Sequence, residues 1–282
     1  MLRLSAAIIS AISLLPVTPG VHRHDVAPEL HIELASDPAF RSVGLLTVEG
    51  EVVGSSVLVA PGWVATAAHV VEGRDASELT LQIGDQRSGV TQIVIHPDFQ
   101  HERFADHEDA QFRKGLDVAL LKLDGPMAGV TPAVLLDGDP PIGSVGTFVG
   151  YGTSGTSTTA ITRPDPAGTL RAGHNRIDAF GGTVRGRPIP DWYLVTDFDH
   201  PDSEELNRTG PSDALPLEYM PIGGDSGGGF FVRLDDGWRL VGLVAGSRVA
   251  INDDLEADGL YGSLNFATRI DLLVDWIAET IQ

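Results

Sequence analysis

Short runs in which apolar residues alternate with small or polar ones recur along this chain, each bounded by Gly, Pro or Asp. The clearest are Val43–Val48, Gly54–Val59, Leu79–Ile83, Gln92–Ile95, Val118–Leu123 and Thr147–Tyr151. A period near two over a few residues, closed by turn-forming residues, predicts strands rather than helices. Further strands are predicted near Thr169–Ile177, Tyr193–Asp197, Gly229–Arg233 and Leu240–Ala245, so the pattern is that of an all-β chain. The stretch Asp137-Gly138-Asp139-Pro140-Pro141 reads as a connector between two halves, of about residues 40–136 and 142–267. The end departs from the strand pattern. Over about residues 269–281, Ile270, Leu273, Val274, Ile277 and Ile281 share one face of a helix that Thr268 can cap. At the start, Met1-Leu2-Arg3 precedes an apolar run from Leu4 to Leu15, too short for a membrane span and suited to a signal-peptide core. Residues 1–20 are therefore expected to be a signal peptide, cut after Gly20, and the remainder, 21–282, a secreted protein.

Composition narrows the classes of partner. The chain has 282 residues, room for two packed barrels, and a net charge of −20, which argues against binding nucleic acid or an anionic membrane. The acidic stretches Asp98–Asp109, Asp197–Glu205 and Asp253–Asp258 read as solvated loops. Within the first, His101, Glu102, Asp106, His107, Glu108 and Asp109 are good metal ligands by type, but their spacing fits no metal motif, so no metal is expected. There are no cysteines, so a secreted form has to be held by its core without disulfides.

The chemistry concentrates in Gly224-Asp225-Ser226-Gly227-Gly228-Gly229. A serine among glycines exposes its oxygen and leaves backbone N–H groups to hold an oxyanion, here those of Gly224 and Ser226. The same residues satisfy the Gly-x-Ser-x-Gly elbow of the α/β-hydrolases, in which the base histidine follows the serine. All nine histidines precede Ser226, which removes that reading. Two orders stay open: His, Asp, Ser, and Asp, His, Ser with Asp25 or Asp37 as an early acid.

Three segments decide between them by resemblance. Thr66-Ala67-Ala68-His69, Leu116-Asp117-Val118-Ala119-Leu120-Leu121-Lys122-Leu123 and Gly224-Asp225-Ser226-Gly227-Gly228 resemble the histidine, aspartate and serine motifs of the trypsin-like (chymotrypsin-fold) serine peptidases, in the family's order. Asp117 lies 48 residues after His69 and 109 before Ser226, and weaker similarity runs from about Val43 to the C-terminus. The resemblance implies two six-stranded antiparallel β-barrels with a C-terminal α-helix. It implies a secreted endopeptidase, of a cysteine-free bacterial type, that acts as a monomer on protein or peptide substrates without a cofactor. Ser226 is then the nucleophile, His69 the base and acid, and Asp117 the residue that orients His69. An inactive binding protein of the same fold and an esterase with the same triad are the alternatives.

The resemblance also implies a substrate pocket. Met220, six residues before Ser226, stands at the pocket floor, Ala245-Gly246-Ser247 form one wall and the substrate-pairing strand, and Asn265 lines the far side. With no carboxylate at the floor, an apolar or small side chain is expected rather than Lys or Arg. In the family, the aspartate before the nucleophile pairs with a freshly exposed α-amino group, so Asp225 is expected to pair with Val21 once the chain is cut. Gly150-Tyr151-Gly152 resembles the turn at the start of the second barrel, and the segments 153–166 and 201–216 read as elaborated loops near the site.

Overall fold

The computed structural model describes residues 20–99, 115–158, 165–184, 187–248 and 260–282. Residues 1–19 of the expected signal peptide, the His101–Asp109 stretch and part of the 153–166 loop lie outside them.

The first half closes into a barrel of six strands: β2 (Val43–Val48), β3 (Glu51–Ala60), β4 (Trp63–Thr66), β5 (Leu79–Ile83), β6 (Gln86–Ile95) and β7 (Ala119–Leu123). Its order around the ring is β2-β3-β4-β7-β6-β5. The period-two pattern is used directly: along β5, Leu79, Leu81 and Ile83 are buried while Thr80 and Gln82 are partly exposed. Closure leaves no unpaired strand edge, so a barrel suits a chain without cross-links.

The second half carries β8 (Val145–Gly150), β9 (Ser154–Thr156), β10 (Arg171–Arg176), β11 (Ala179–Val184), β12 (Arg187–Asp197), β13 (Tyr219–Met220), β14 (Gly229–Leu234), β15 (Gly237–Arg248) and β16 (Leu264–Arg269). The ladder here differs from a closed six-stranded ring. Seven strands form one antiparallel sheet in the order β10-β8-β14-β15-β16-β12-β11. Its curl brings β10 near the end of β12, where the Asn175 side chain donates to the Asp197 carbonyl at 2.6 Å, a side-chain bond in place of a backbone ladder. The two halves share a core in which Val43, Val57, Ala65 and Leu120 pack with Val149, Phe231, Leu240 and Leu243. Ser226, from the second half, meets Ser55 of β3 beside that junction, its carbonyl accepting the Ser55 N–H at 2.8 Å.

Among the described residues there are three short α-helices: α1 (Pro28–Ala35), α2 (Ala68–Val71) and α3 (Val274–Thr280). The C-terminal helix α3 starts later than expected because Thr268 and Arg269 are spent on β16, pairing with Tyr193 and with Leu243 and Gly242. Leu273, not Thr268, is its N-cap, and Ile270, Leu273 and Ile277 reach the shared core. Helix α1 has no forerunner in the sequence pattern. It buries His31 and Ala35 while Leu30 and Ile32 are each 43% exposed, so its apolar residues trace no buried stripe. Ahead of it, β1 (Gly20–His22) lies between β13 and β9 in a separate three-stranded sheet. No helix among the described residues is long and apolar enough to cross a membrane.

Candidate active site

His69 and Asp117 meet because β4 and β7 are antiparallel neighbours. The register Thr66↔Ala119 sets the end of one strand beside the start of the other. His69 sits just past β4 on α2, and Asp117 just before β7. The fully buried Asp117 carboxylate accepts the His69 backbone N–H at 3.0 Å through one oxygen and faces His69 Nδ1 at 2.7 Å through the other. Two bonds from one residue fix both the backbone and the ring, and turn Nε2 away from the carboxylate.

Ser226 is held against the same barrel end from the other half of the chain. Its carbonyl accepts the Ser55 N–H at 2.8 Å, and the Ser55 carbonyl accepts from Thr66 Oγ1 at 2.7 Å, so the serine loop rests on β3 beside the segment leading to His69. Contact there is close enough to require glycine. Gly227 has φ +82°, and a Cβ on it would lie 2.1 Å from Thr66 Oγ1 and 2.3 Å from the Ser55 carbonyl oxygen. We expect Gly227→Ala to lose about 3 kcal/mol or more of stability, from left-handed backbone strain and overpacking together. Urea unfolding reads this, and a midpoint equal to that of the unaltered protein contradicts it.

The loop's peptide planes decide where its donors point. In a trans peptide the C=O and the following N–H point in opposite directions. The Gly223 carbonyl accepts from Thr153 N at 3.0 Å, and the Asp225 carbonyl from Gly228 N at 2.7 Å. The N–H groups of Gly224 and Ser226 are therefore turned the other way, and neither meets an internal acceptor among the described residues. Two such donors, fixed by carbonyls on their far sides, suit an oxyanion.

Asp225 points inward and is about 1% exposed. Its carboxylate accepts from Gly152 N at 2.8 Å, Tyr219 Oη at 2.9 Å and Ile222 N at 3.1 Å. Burial pushes its pKa up to about 6, against the pull of these donors and of nearby Arg171. Gly150 and Gly152 admit the side chain: a Cβ on either would fall 2.4 Å or 2.6 Å from an Asp225 atom. Those glycines were visible in the sequence as a turn, while Tyr219 and Ser55 carried no signal there.

The structure does not bring every expected site residue together. In the chain as it runs through Gly20, Val21 is a strand residue aligned with Met220 and Gly155, with its side chain buried beside Phe198, Met220, Ile222, Leu260 and Tyr261. With Gly20 still attached, Val21 carries no α-amino group, and the three donors that meet Asp225 are neutral. Met220 is fully buried in that same cluster, whereas Ala245 belongs to another, with Ile189, Tyr193, Val195, Leu264 and Phe266. Gly246 and Ser247 lie on β15 opposite Phe266 and Asn265 of β16. Asn265 is buried, with its amide nitrogen 3.5 Å from Thr196 Oγ1.

A family model described as Trypsin matches residues 33–173. Complement C1s subcomponent from Sus scrofa is 26% identical over 256 residues, covering 80% of this chain and 31% of that protein. Snake venom serine protease KN14 from Trimeresurus stejnegeri is 32% identical over 120 residues, 41% of this chain and 44% of that one. The chain thus spans less than half the length of these curated relatives. Among solved structures, neuropsin, a serine protease expressed in the limbic system of mouse brain, superposes with a TM-score of 0.58 over 93% of this chain and 99% of its own, at 20% identity. That likeness bears on the fold.

Proposed function

Because this chain belongs to the trypsin family, we propose that it is a secreted serine endopeptidase with Ser226 as nucleophile, His69 as base and acid, and Asp117 as the orienting carboxylate. In the first half-reaction the Ser226 hydroxyl oxygen attacks the peptide carbonyl carbon while His69 Nε2 takes its proton. Collapse of the tetrahedral adduct expels the amine, which leaves with that proton, and an acyl-enzyme remains. Water then repeats the two steps and frees Ser226. The N–H groups of Gly224 and Ser226 hold the negative oxygen in each adduct.

The observation that carries this reading is the doubly bonded His69–Asp117 pair, built at the barrel end on which the Ser226 loop is pinned. A fluorophosphonate, whose phosphorus is attacked by an activated serine oxygen with loss of fluoride, tests it directly. Labelling of the purified protein with the 1–20 segment removed, lost in Ser226→Ala, is the expected result; no labelling points to a binding protein of the same fold. Cleavage of a diverse peptide library separates a peptidase from an esterase.

The substrate strand is proposed to be Ala245-Gly246-Ser247, with Met220 behind the pocket and Asn265 beyond it. No carboxylate stands at Met220, so the library is expected to show cleavage after apolar or small residues and none favoured after Lys or Arg. A Cβ on Gly246 meets no atom within 4 Å. Gly246→Ala is therefore expected to fold with unchanged stability while raising KM about tenfold, because the added methyl faces the bound chain. An unchanged KM removes Gly246 from the substrate strand.

A further inference from the structure

The residues assigned above leave open what holds the middle of the serine loop, the peptide between the two oxyanion donors. That peptide is Gly224–Asp225, and its carbonyl accepts from Ser55 Oγ at 2.9 Å. Ser55 Oγ in turn accepts the Tyr151 N–H at 2.9 Å. A hydroxyl has one proton, so with its lone pair facing Tyr151 N–H the proton is directed at Gly224 O, and the orientation is determined. Ser55 is fully buried, and its own N–H and carbonyl bind Ser226 O and Thr66 Oγ1. One residue of the first barrel thereby touches the serine loop twice and the second barrel's Tyr151 once.

The opposite side of the same peptide carries the Asp225 side chain, and there the side-chain donor is Tyr219 Oη at 2.9 Å. Tyr219 is about 1% exposed and packs against His31 of α1 with ring centroids 5.7 Å apart. Its position in β13 is set by pairing with His22 of β1. The hydroxyl is held from the N-terminal segment, 197 residues away along the chain.

Resting on the peptidase reading, we propose that Ser55 and Tyr219 are positioning residues that clamp the oxyanion loop between two neutral hydroxyls. Ser55 fixes the Gly224 carbonyl, and Tyr219 fixes the Asp225 carboxylate on the other side of the same peptide. Rotation of that peptide displaces both neighbouring N–H donors at once, so losing either hydroxyl weakens binding of the tetrahedral adduct more than binding of the flat substrate.

The test uses Ser55→Ala and Tyr219→Phe, each of which removes a single oxygen, in the full mature chain. Each is expected to lower kcat by about 10- to 100-fold, at or below the lower end of the loss of about 10²–10³ for removing an oxyanion donor outright, because the donors are displaced rather than deleted, with KM within about twofold. Affinity for a peptide aldehyde, which forms the tetrahedral adduct, falls in parallel with kcat. A loss expressed as raised KM at constant kcat, or an unchanged aldehyde affinity in an active protein, overturns the clamp. Amide hydrogen exchange at residues 222–228 reads the clamp without any activity: faster exchange there in both variants supports it, and exchange equal to that of the unaltered protein overturns it even where no peptidase activity is found. Absence of fluorophosphonate labelling in the unaltered protein, by contrast, removes the peptidase reading and leaves the exchange result to stand alone. If one variant does not fold, the other carries both measurements.

Discussion

Ser226→Ala is expected to lose about 10⁵-fold or more of turnover on a cleavable peptide, and His69→Ala to lose a similar amount. The two losses do not add. A nucleophile without its base is an ordinary alcohol, and a base without its nucleophile has no proton to take, so the double variant sits near either single one. Asp117→Asn is expected to cost about 10⁴-fold. Asp117 accepts both the backbone N–H and Nδ1 of His69, and an amide nitrogen placed opposite Nδ1 selects the tautomer with its proton on the wrong side. Residual turnover above the uncatalysed rate is expected from the Gly224 and Ser226 N–H groups, which none of these changes removes. Initial rates on one peptide, at protein concentrations fixed by absorbance, measure all four proteins. A double variant far slower than either single one contradicts the concerted reading, because it shows the two residues acting separately.

The parts of this site legible in the sequence are those carried by contiguous segments. His69 follows one run of small and apolar residues and Asp117 opens another, and one register, Thr66↔Ala119, is enough to join them. Ser226 announced itself through its glycines, which the packing requires: Gly224, at φ +91° against Gly152, Gly227, against Thr66, Gly228, where a Cβ would lie 2.5 Å from the Val149 carbonyl oxygen, and Gly229, against Phe231. Ser55 and Tyr219 were not legible because each is a single hydroxyl in an ordinary strand; Tyr219 lies only six residues before its partner Asp225, but no local pattern shows that the turn between them folds one onto the other. For Ser55 the partner is 169 residues away, so no local pattern marks it. The first barrel followed from alternation. The second half was harder because its edge strand β11, Ala179–Val184, carries two adjacent glycines and a register shift, which interrupt the period on which strand reading depends. Helix α1 was hidden by the inversion that buries a histidine and exposes Leu30 and Ile32.

The stability of this protein is expected to fall steeply between pH 7 and pH 9, and the cause is a group of carboxyls behind β13. Asp197, Asp199 and Glu218 are buried, and Asp178 is half-buried beside them. They bond one another's backbones: Asp178 Oδ2 accepts from Asp197 N at 3.3 Å, and Glu218 Oε1 from Asp199 N at 2.8 Å. The N–H groups of Arg208 and Thr209 reach Asp197 Oδ2 at 2.5 Å and 2.9 Å. Backbone donors favour the ionised form, yet burial wins. It raises Asp178 and Asp199 to about 8 and Glu218 to about 9, with mutual repulsion adding to the shift, and it raises Asp197 as well. The compensating cation at Asp199, Arg176, is shared with the exposed Asp213 at 3.5 Å.

In the unfolded chain these carboxyls titrate near about 4, so between there and pH 8 or 9 the folded state binds more protons than the unfolded one. Stability contributed by the protonated carboxyls is therefore complete at low pH and is lost as pH rises through the folded pKa values. Buried histidines act in the opposite sense below about 6.5, because His22, His96 and His174 are lowered and His31 is lowered to about 4, each by burial. Stability gained by keeping them neutral grows up to their unfolded pKa near about 6.5 and is complete above it. The window from pH 7 to 9 thus isolates the carboxyls. At about 1.4 kcal/mol per pKa unit per group, several kcal/mol are at stake, and each is worth about 2–4 °C of melting temperature in a domain of 150–250 residues. A fall of about 10 °C from pH 7 to 9 is the expected result. Asp199→Asn isolates the cause, because Asp199 Oδ1 is buried without a hydrogen-bond partner among the described residues, so an amide there removes the charge and strands none of their donors. This variant is expected to melt higher than the unaltered protein at pH 9 and to show a shallower slope. A flat melting temperature across the window, or an Asn variant that falls in parallel with the unaltered protein, shows that the cluster ionises without strain, for instance by opening residues 201–216 to water. Amide exchange confined to that segment at pH 9 distinguishes such local opening from a global loss of stability.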